Sequence, residues 1–355
     1  MAKSMMLCLL ALTCLLSASC GTPGQPGNES ASSREVVTTT STTPKNIVEE
    51  PDTDTRDLSE KVAEAIKEYC PTGTFIIESD LEKYQHYDGM SFVDVVAQWT
   101  NISQAEDVFA ILGVVVHEET HVFQVLDFAS HLVEGEQLNM REAIAGLFSL
   151  TPGESIPKSE LMGETIPQEL RTMRFEHYVA KGLVRNSNGE GVLGLLNELE
   201  AYHQEARSIY EVYELLKTRP IRASEYFNYF IALNSGGDAF NEMTFYILTY
   251  MNHLKEYKPD LYDDLLSRKA IWTAFKYNYE AFLELTQGFA ARNAELLAAL
   301  LEKGYDAELI GEQFVDLRLR IGDTTRGTGN DVSKLIEAMK QQEYADCLAL
   351  LLSLG

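Results

Sequence analysis

Five consecutive residues, His117, Glu118, Glu119, Thr120 and His121, set two imidazoles four positions apart with an acid beside the first. On a helix, residues four apart share a face, so His117 and His121 can hold one metal ion between their ring nitrogens. Glu118 stands one residue round, where it can take a proton from a metal-bound water. This is the H-E-x-x-H spacing, and its chemistry is zinc-assisted hydrolysis. A catalytic zinc takes three protein ligands and keeps a fourth position for water, so another donor must come from elsewhere in the chain.

The element that must position these residues is a helix from Ser103 to Phe128. Ser103-Gln104-Ala105-Glu106 reads as a capping box, with Ser103 as N-cap. No proline interrupts the helix. The β-branched run Val114 to Val116 lowers intrinsic helix propensity, so packing must hold this helix together. Apolar residues fall on every side of it: Val114, Val115 and Val116 before the motif, Val122, Phe123, Val125 and Leu126 after it. A helix apolar all round is a buried one, and buried histidines and glutamates need partners.

Three carboxylates compete for the third ligand position. A long helix is predicted from Val192 to Lys217, with Leu195, Leu199, Tyr202, Ala206, Ile209, Tyr213 and Leu216 as its core stripe. Glu198 lies on the flank of that stripe. Glu200 shares a face with Gln204, Arg207 and Glu211, which reads as solvated. Glu242, on a helix predicted from Ala239 to Tyr257, has the same look as Glu198. Asp127 lies just past the motif, but an unbroken helix turns it roughly 80° away from His117.

With His117, Glu118, His121 and Glu198 in hand, the chain resembles the zincin metallopeptidases of the gluzincin kind. That resemblance implies Zn2+ on His117, His121 and Glu198, Glu118 as general base, and a peptide or protein substrate. It also implies a mainly α fold, with minor strand content beside the active-site helix. Thermolysin-like members carry an acid four residues after the third ligand, where this chain has Tyr202. Tyr202, Tyr246, Tyr250 and His253 are candidates to stabilise an oxyanion, with Tyr202 placed first. His131, His177 and His203 read as ordinary polar residues, His203 being close enough to Tyr202 to support the site. Two other readings stay open: a zinc amidase acting on cell-wall peptides, and a non-catalytic surface lipoprotein with a degenerate zincin site. Retention of Glu118 favours an enzyme.

The chain divides into three parts. Residues 1–19 read as a signal peptide, with Lys3 its only charge and an apolar core from Met5 to Leu16 too short to span a bilayer. Ser17-Ala18-Ser19-Cys20 resembles the lipobox of bacterial lipoproteins, which implies export and a lipid on Cys20, with a secreted soluble product as the alternative. Residues 20–56 are a linker rich in Thr, Ser, Pro and Gly, spanning roughly 30–35 Å as a flexible coil. Residues 57–355 have globular composition and form one large helical domain or two lobes. Within them Thr74 to Glu78 is the best strand candidate. Helices are expected at Asp57–Tyr69, Ser91–Trp99, Leu261–Arg268, Ala270–Leu301 and Val332–Leu352. No segment after the signal is expected to cross a membrane.

The net charge of −25 argues against nucleic-acid or anionic-membrane binding by the domain and for basic or neutral substrates. Without residues 1–19 the charge is one unit more negative. Gly236-Gly237-Asp238 and Gly327 to Asn330 read as glycine turns, and neither has the lysine of a phosphate loop. After export Cys20, Cys70 and Cys347 remain. Cys70 and Cys347 are either a disulfide or two buried thiols.

Overall fold

Asp57 opens α1 (Leu58–Tyr69) as its N-cap, with Oδ1 accepting from the backbone N of Glu60 at 2.9 Å. The computed structural model describes residues 55–103, 107–125, 130–134, 136–139, 156–180, 189–218 and 222–355. The signal, Cys20 and nearly all of the linker lie outside the described residues. From Asp57 onward the described residues form a mainly α fold, in line with the run of helices expected from the sequence pattern.

The next three helices build one side of the core. Cys70 caps α2 (Pro71–Lys83) through Sγ, which accepts from the backbone N of Gly73 at 3.2 Å. This helix takes up Thr74 to Glu78, the expected strand. The β-branched pair Ile76 and Ile77 is fully buried, so packing overrides local preference. Then come α3 (Phe92–Ser103) and α4 (Val108–Val125), which carries the H-E-x-x-H residues. Ser103 ends α3 rather than capping α4. The cap is Asp107, whose Oδ1 accepts from the backbone N of Ala110 at 2.9 Å.

In length and composition α4 could cross a bilayer, contrary to the expectation for this region, but 78% of it is buried inside the fold. It is a core helix. An antiparallel hairpin of β1 (Ser130–Val133) and β2 (Glu136–Asn139) comes after it, and a short helix, α5 (Phe175–Tyr178), comes later. The short mixed sequences of these elements carry no periodic signal.

The second half supplies the long helices. α6 (Val192–Glu211) and α7 (Tyr213–Thr218) replace the single expected helix, which breaks at Val212. α8 (Ala223–Tyr257) starts well before the expected Ala239. Gly236 and Gly237 lie inside α8 and form no turn. They serve close approach: a Cβ on Gly236 would stand 2.6 Å from the Cβ of Ala206 on α6. α9 (Pro259–Ser267) and α10 (Lys269–Glu302) complete the long-helix layer. A three-stranded antiparallel sheet, β3 (Ala307–Ile310), β4 (Arg318–Ile321) and β5 (Thr324–Gly327), covers one end of α8 and α10. The chain closes with α11 (Ser333–Met339) and α12 (Gln342–Leu354). Cys70 and Cys347 are free buried thiols, and burial pushes each up to about 12.

α6 is the pivot. It packs on α4 along one side and on α8 along the other. Its start is fixed by Gly191, which has φ +57, and where a Cβ would meet the carbonyl oxygen of Pro157 at 2.4 Å and the Tyr250 hydroxyl at 2.5 Å. The substitution Gly191→Ala should therefore cost about 1–3 kcal/mol in urea unfolding. Gly189→Ala, where nothing lies within 4 Å of the added Cβ, should stay within about 0.5 kcal/mol of the parent.

Candidate metal centre

His117 and His121 project from one face of α4 towards α6, as the four-residue spacing requires. Their Nε2 atoms lie 3.2 Å apart. Glu198, from the first half of α6, brings Oε2 to 3.4 Å from Nε2 of His117 and 3.5 Å from Nε2 of His121. The three donors thus form a nearly equilateral triangle. Ligands about 2.0–2.1 Å from a tetrahedral zinc stand roughly 3.3 Å apart, so this triangle fits that ion. The fit has a second sign: Oε2 of Glu198 is buried without a hydrogen-bond partner, facing two imidazole nitrogens. Among the described residues, His117, His121 and Glu198 are the group of three or more that can share a metal.

Each imidazole is oriented from behind. Nδ1 of His117 lies 3.0 Å from Oε2 of Glu205, on α6 two turns beyond Glu198. Nδ1 of His121 lies 2.9 Å from Oε1 of Gln124. A carboxylate or amide oxygen in these places accepts the Nδ1 proton and leaves Nε2 with its lone pair turned to the metal position. The Gln124 amide is itself fixed. Its Nε2 donates to the Asn197 carbonyl at 2.9 Å and to Oε2 of Glu200 at 3.0 Å.

Glu200 is where the solvated-face reading fails. It is fully buried, because α6 is covered on both sides. It accepts from the backbone N of Leu132 at 2.6 Å and pairs with Nδ1 of His131. His131 reaches Oδ1 of Asn197 with its other nitrogen at 3.0 Å. The hairpin of β1 and β2 is thereby tied to the metal face.

Glu119 points to the opposite side of α4 and anchors it. Its Oε1 accepts from the Tyr87 hydroxyl at 2.8 Å and from Nε1 of Trp99 at 2.5 Å. Asp80 on α2 is its buried neighbour. Burial and the charge of Glu119 push the Asp80 carboxyl far up, so this pair keeps a proton at neutral pH. Glu118 is also buried. Burial raises its carboxyl, the two histidines lower it, and the net shift is upward.

The remaining sequence candidates separate cleanly. The Tyr202 ring packs edge-on against His117 with centroids 4.6 Å apart, and its hydroxyl lies 2.8 Å from that of Tyr178. Glu242 is not part of the centre. It is held by Arg174, whose Nη1 donates at 2.6 Å. Asp127 lies outside the described residues. The Tyr246 hydroxyl is engaged with Thr172 at 3.0 Å, the Tyr250 hydroxyl donates to the Pro157 carbonyl at 2.5 Å, and the His253 ring lies against Tyr257. His203 turns away to Asn278, and burial lowers it to about 4. Sequence reasoning misses Glu205, Gln124 as an orienting group, and Tyr178. The spacing from Glu198 to Glu205, two turns on one face, is the available signal for the first.

Comparison with protein-family models, curated proteins and solved structures returns no match. The geometry therefore stands on its own.

The charges of the site predict how a metal enters. Burial disfavours the imidazolium forms, but Glu198 and Glu205 outweigh it, and both histidines are raised above 6.5. For Glu198 too, burial is opposed and outweighed by the histidines, which hold its carboxyl well below the usual range. In the metal-free chain the imidazolium–carboxylate attraction is full below pH 6.5 and lost as pH rises through the raised values. Zinc needs neutral imidazoles. Calorimetry at about pH 7 in buffers of different ionisation enthalpy should show protons released on zinc binding. The apparent affinity should climb with pH until the raised values are passed. Glu205→Gln should weaken zinc binding by about 10–100-fold.

Proposed function

We propose that this chain is a zinc-dependent peptidase of the gluzincin-like kind, exported and anchored through a lipid on Cys20. The observation that carries the reading is the triangle of His117, His121 and Glu198 around one point, with Glu118 buried beside it. Zinc held there would supply a Lewis acid for the scissile carbonyl and a water of lowered pKa. The chain's own groups do the rest. Glu118 takes the proton of the attacking water and returns it to the leaving amine. Its carboxyl is raised by burial towards the pH at which such a base works well. The Tyr202 hydroxyl, held by Tyr178, is the candidate donor to the oxyanion. Glu205 and Gln124 keep the two imidazoles in the tautomer the site needs.

The acidic chain, at −25, favours basic or neutral peptides over anionic ones. An amidase acting on cell-wall peptides would use the same centre and differ only in substrate. A purely binding role gives no reason to bury an acid at Glu118, since burial without a partner is costly.

Glu118→Gln separates catalysis from binding. The variant should hold zinc like the parent and lose about 10²–10⁴-fold in peptide hydrolysis, read by mass spectrometry of a mixed peptide library. Full activity in Glu118→Gln would remove the general base from this account. A zinc-loaded parent that cuts no peptide in the library, yet opens cell-wall amides, would favour the amidase.

A further inference from the structure

The centre carries one carboxylate more than its chemistry uses. Glu198 and Glu205 match the two charges of a zinc ion, and Glu118 serves as base. Glu190 is the surplus. Its carboxylate lies in the field of the ligands: burial raises it, His121 lowers it and Glu198 raises it, with a net upward shift. Glu190 is nonetheless exposed to solvent. A carboxylate that is open to water yet partly shielded stands in a recess rather than on a convex face.

The backbone and one amide fix where it stands. Gly191, the next residue, is held at φ +57, with the Pro157 carbonyl and the Tyr250 hydroxyl crowding its Cα. The Glu190 carbonyl accepts from the backbone N of Leu193 at 3.2 Å, in the first turn of α6. Asn197 turns Oδ1 to Nε2 of His131 at 3.0 Å and Nδ2 to Oε2 of Glu190 at 3.5 Å. Asn197 precedes Glu198, so the turn of α6 that supplies the third ligand also steers Glu190.

The centre opens to solvent on that same side. The His121 side chain is 18% exposed, against 9% for His117 and 2% for Glu198. The Tyr202 ring covers His117. A molecule arriving from solvent meets the His121 side, where Glu190 stands. Among the described residues no lysine or arginine pairs with Glu190, and a neutral amide leaves its charge unmatched.

We propose that Glu190 is a specificity-determining residue that receives an ammonium group of the substrate beside the scissile bond. This rests on the peptidase reading above and gives its preference for basic peptides a single residue. The ammonium is either the free amino terminus of the peptide or a lysine side chain. Either makes a charge-assisted hydrogen bond to Glu190 and supplies the positive charge that the site lacks there.

Alanine-rich peptides with one lysine scanned along them test this. Each is compared with its acetyl-lysine counterpart, and each with a free or an acetylated amino terminus. Affinities are read by calorimetry on the zinc-loaded full chain bearing Glu118→Gln, and cleavage on the zinc-loaded parent. Peptides with the recognised ammonium should bind about 10-fold or more tighter than their acetylated forms. The acetylation that abolishes the gain identifies the group. Adding Glu190→Gln should remove the difference while zinc content stays at the parent's level, and Glu190→Lys should reverse it. Equal affinities across the set overturn the proposal, as does a preference that survives Glu190→Gln. The peptidase reading fails separately. Charge-selective binding without cleavage by the parent keeps a cation subsite beside the centre and removes the peptidase. Cleavage without charge preference removes the subsite and keeps the peptidase.

Discussion

Packing α6 against α4 forces ionisable groups into the interior, and the rest of the architecture answers that constraint. His117, Glu118, Glu119 and His121 from one helix meet Glu198 and Glu200 from the other, all shielded from bulk water to a large degree. Unpaired, such groups would cost several kcal/mol each. The structure divides them by direction. Those on the shared face converge on one point, where a divalent ion would balance them. Those turned away find fixed partners: Tyr87 and Trp99 for Glu119, and Leu132, His131 and Gln124 for Glu200. The outward partners fix the rotation of α4, and with it the direction in which both histidines point.

The histidines are held more firmly than a ligand role alone would demand. Glu205 sits where it can fix the tautomer of His117, and Gln124 does so for His121. Gln124 is in turn fixed by α6, and Glu200 ties the same network to the hairpin after α4. A small shift in that hairpin would therefore be felt at His121 through a short chain of hydrogen bonds. The Tyr202 ring, braced by the Arg174 guanidinium 4.6 Å from its centroid, closes the other side of His117. The buried Arg174–Glu242 pair thereby supports the centre without joining it.

Much of this is legible in the sequence, and the exceptions have physical causes. The motif helix and its burial follow from four-residue spacing and from apolar residues on every face, while Glu198, singled out by its place on the flank of the α6 stripe and by the resemblance, lies where it faces both histidines. The cap is misplaced because Ser103 and Asp107 both match cap chemistry, and only the end of α3 decides between them. Thr74 to Glu78 has strand-like residues, yet helix packing overrides that preference. Glu200 reads as solvated because a one-dimensional pattern cannot show a helix covered on two sides. Gly236 and Gly237 look like a turn, whereas they are contact points for Ala206 and Phe314. Glu205 escapes notice because the resemblance directs the search to the position four residues after Glu198, where this chain has Tyr202, rather than to the position two turns along.

Metal analysis of the purified chain beside Glu198→Ala and Glu242→Ala tests the central claim most directly. The account predicts about one zinc per chain in the parent and in Glu242→Ala, with zinc lost in Glu198→Ala. A parent that takes up no zinc after the metal is supplied, or a Glu198→Ala chain that keeps it, would contradict the account.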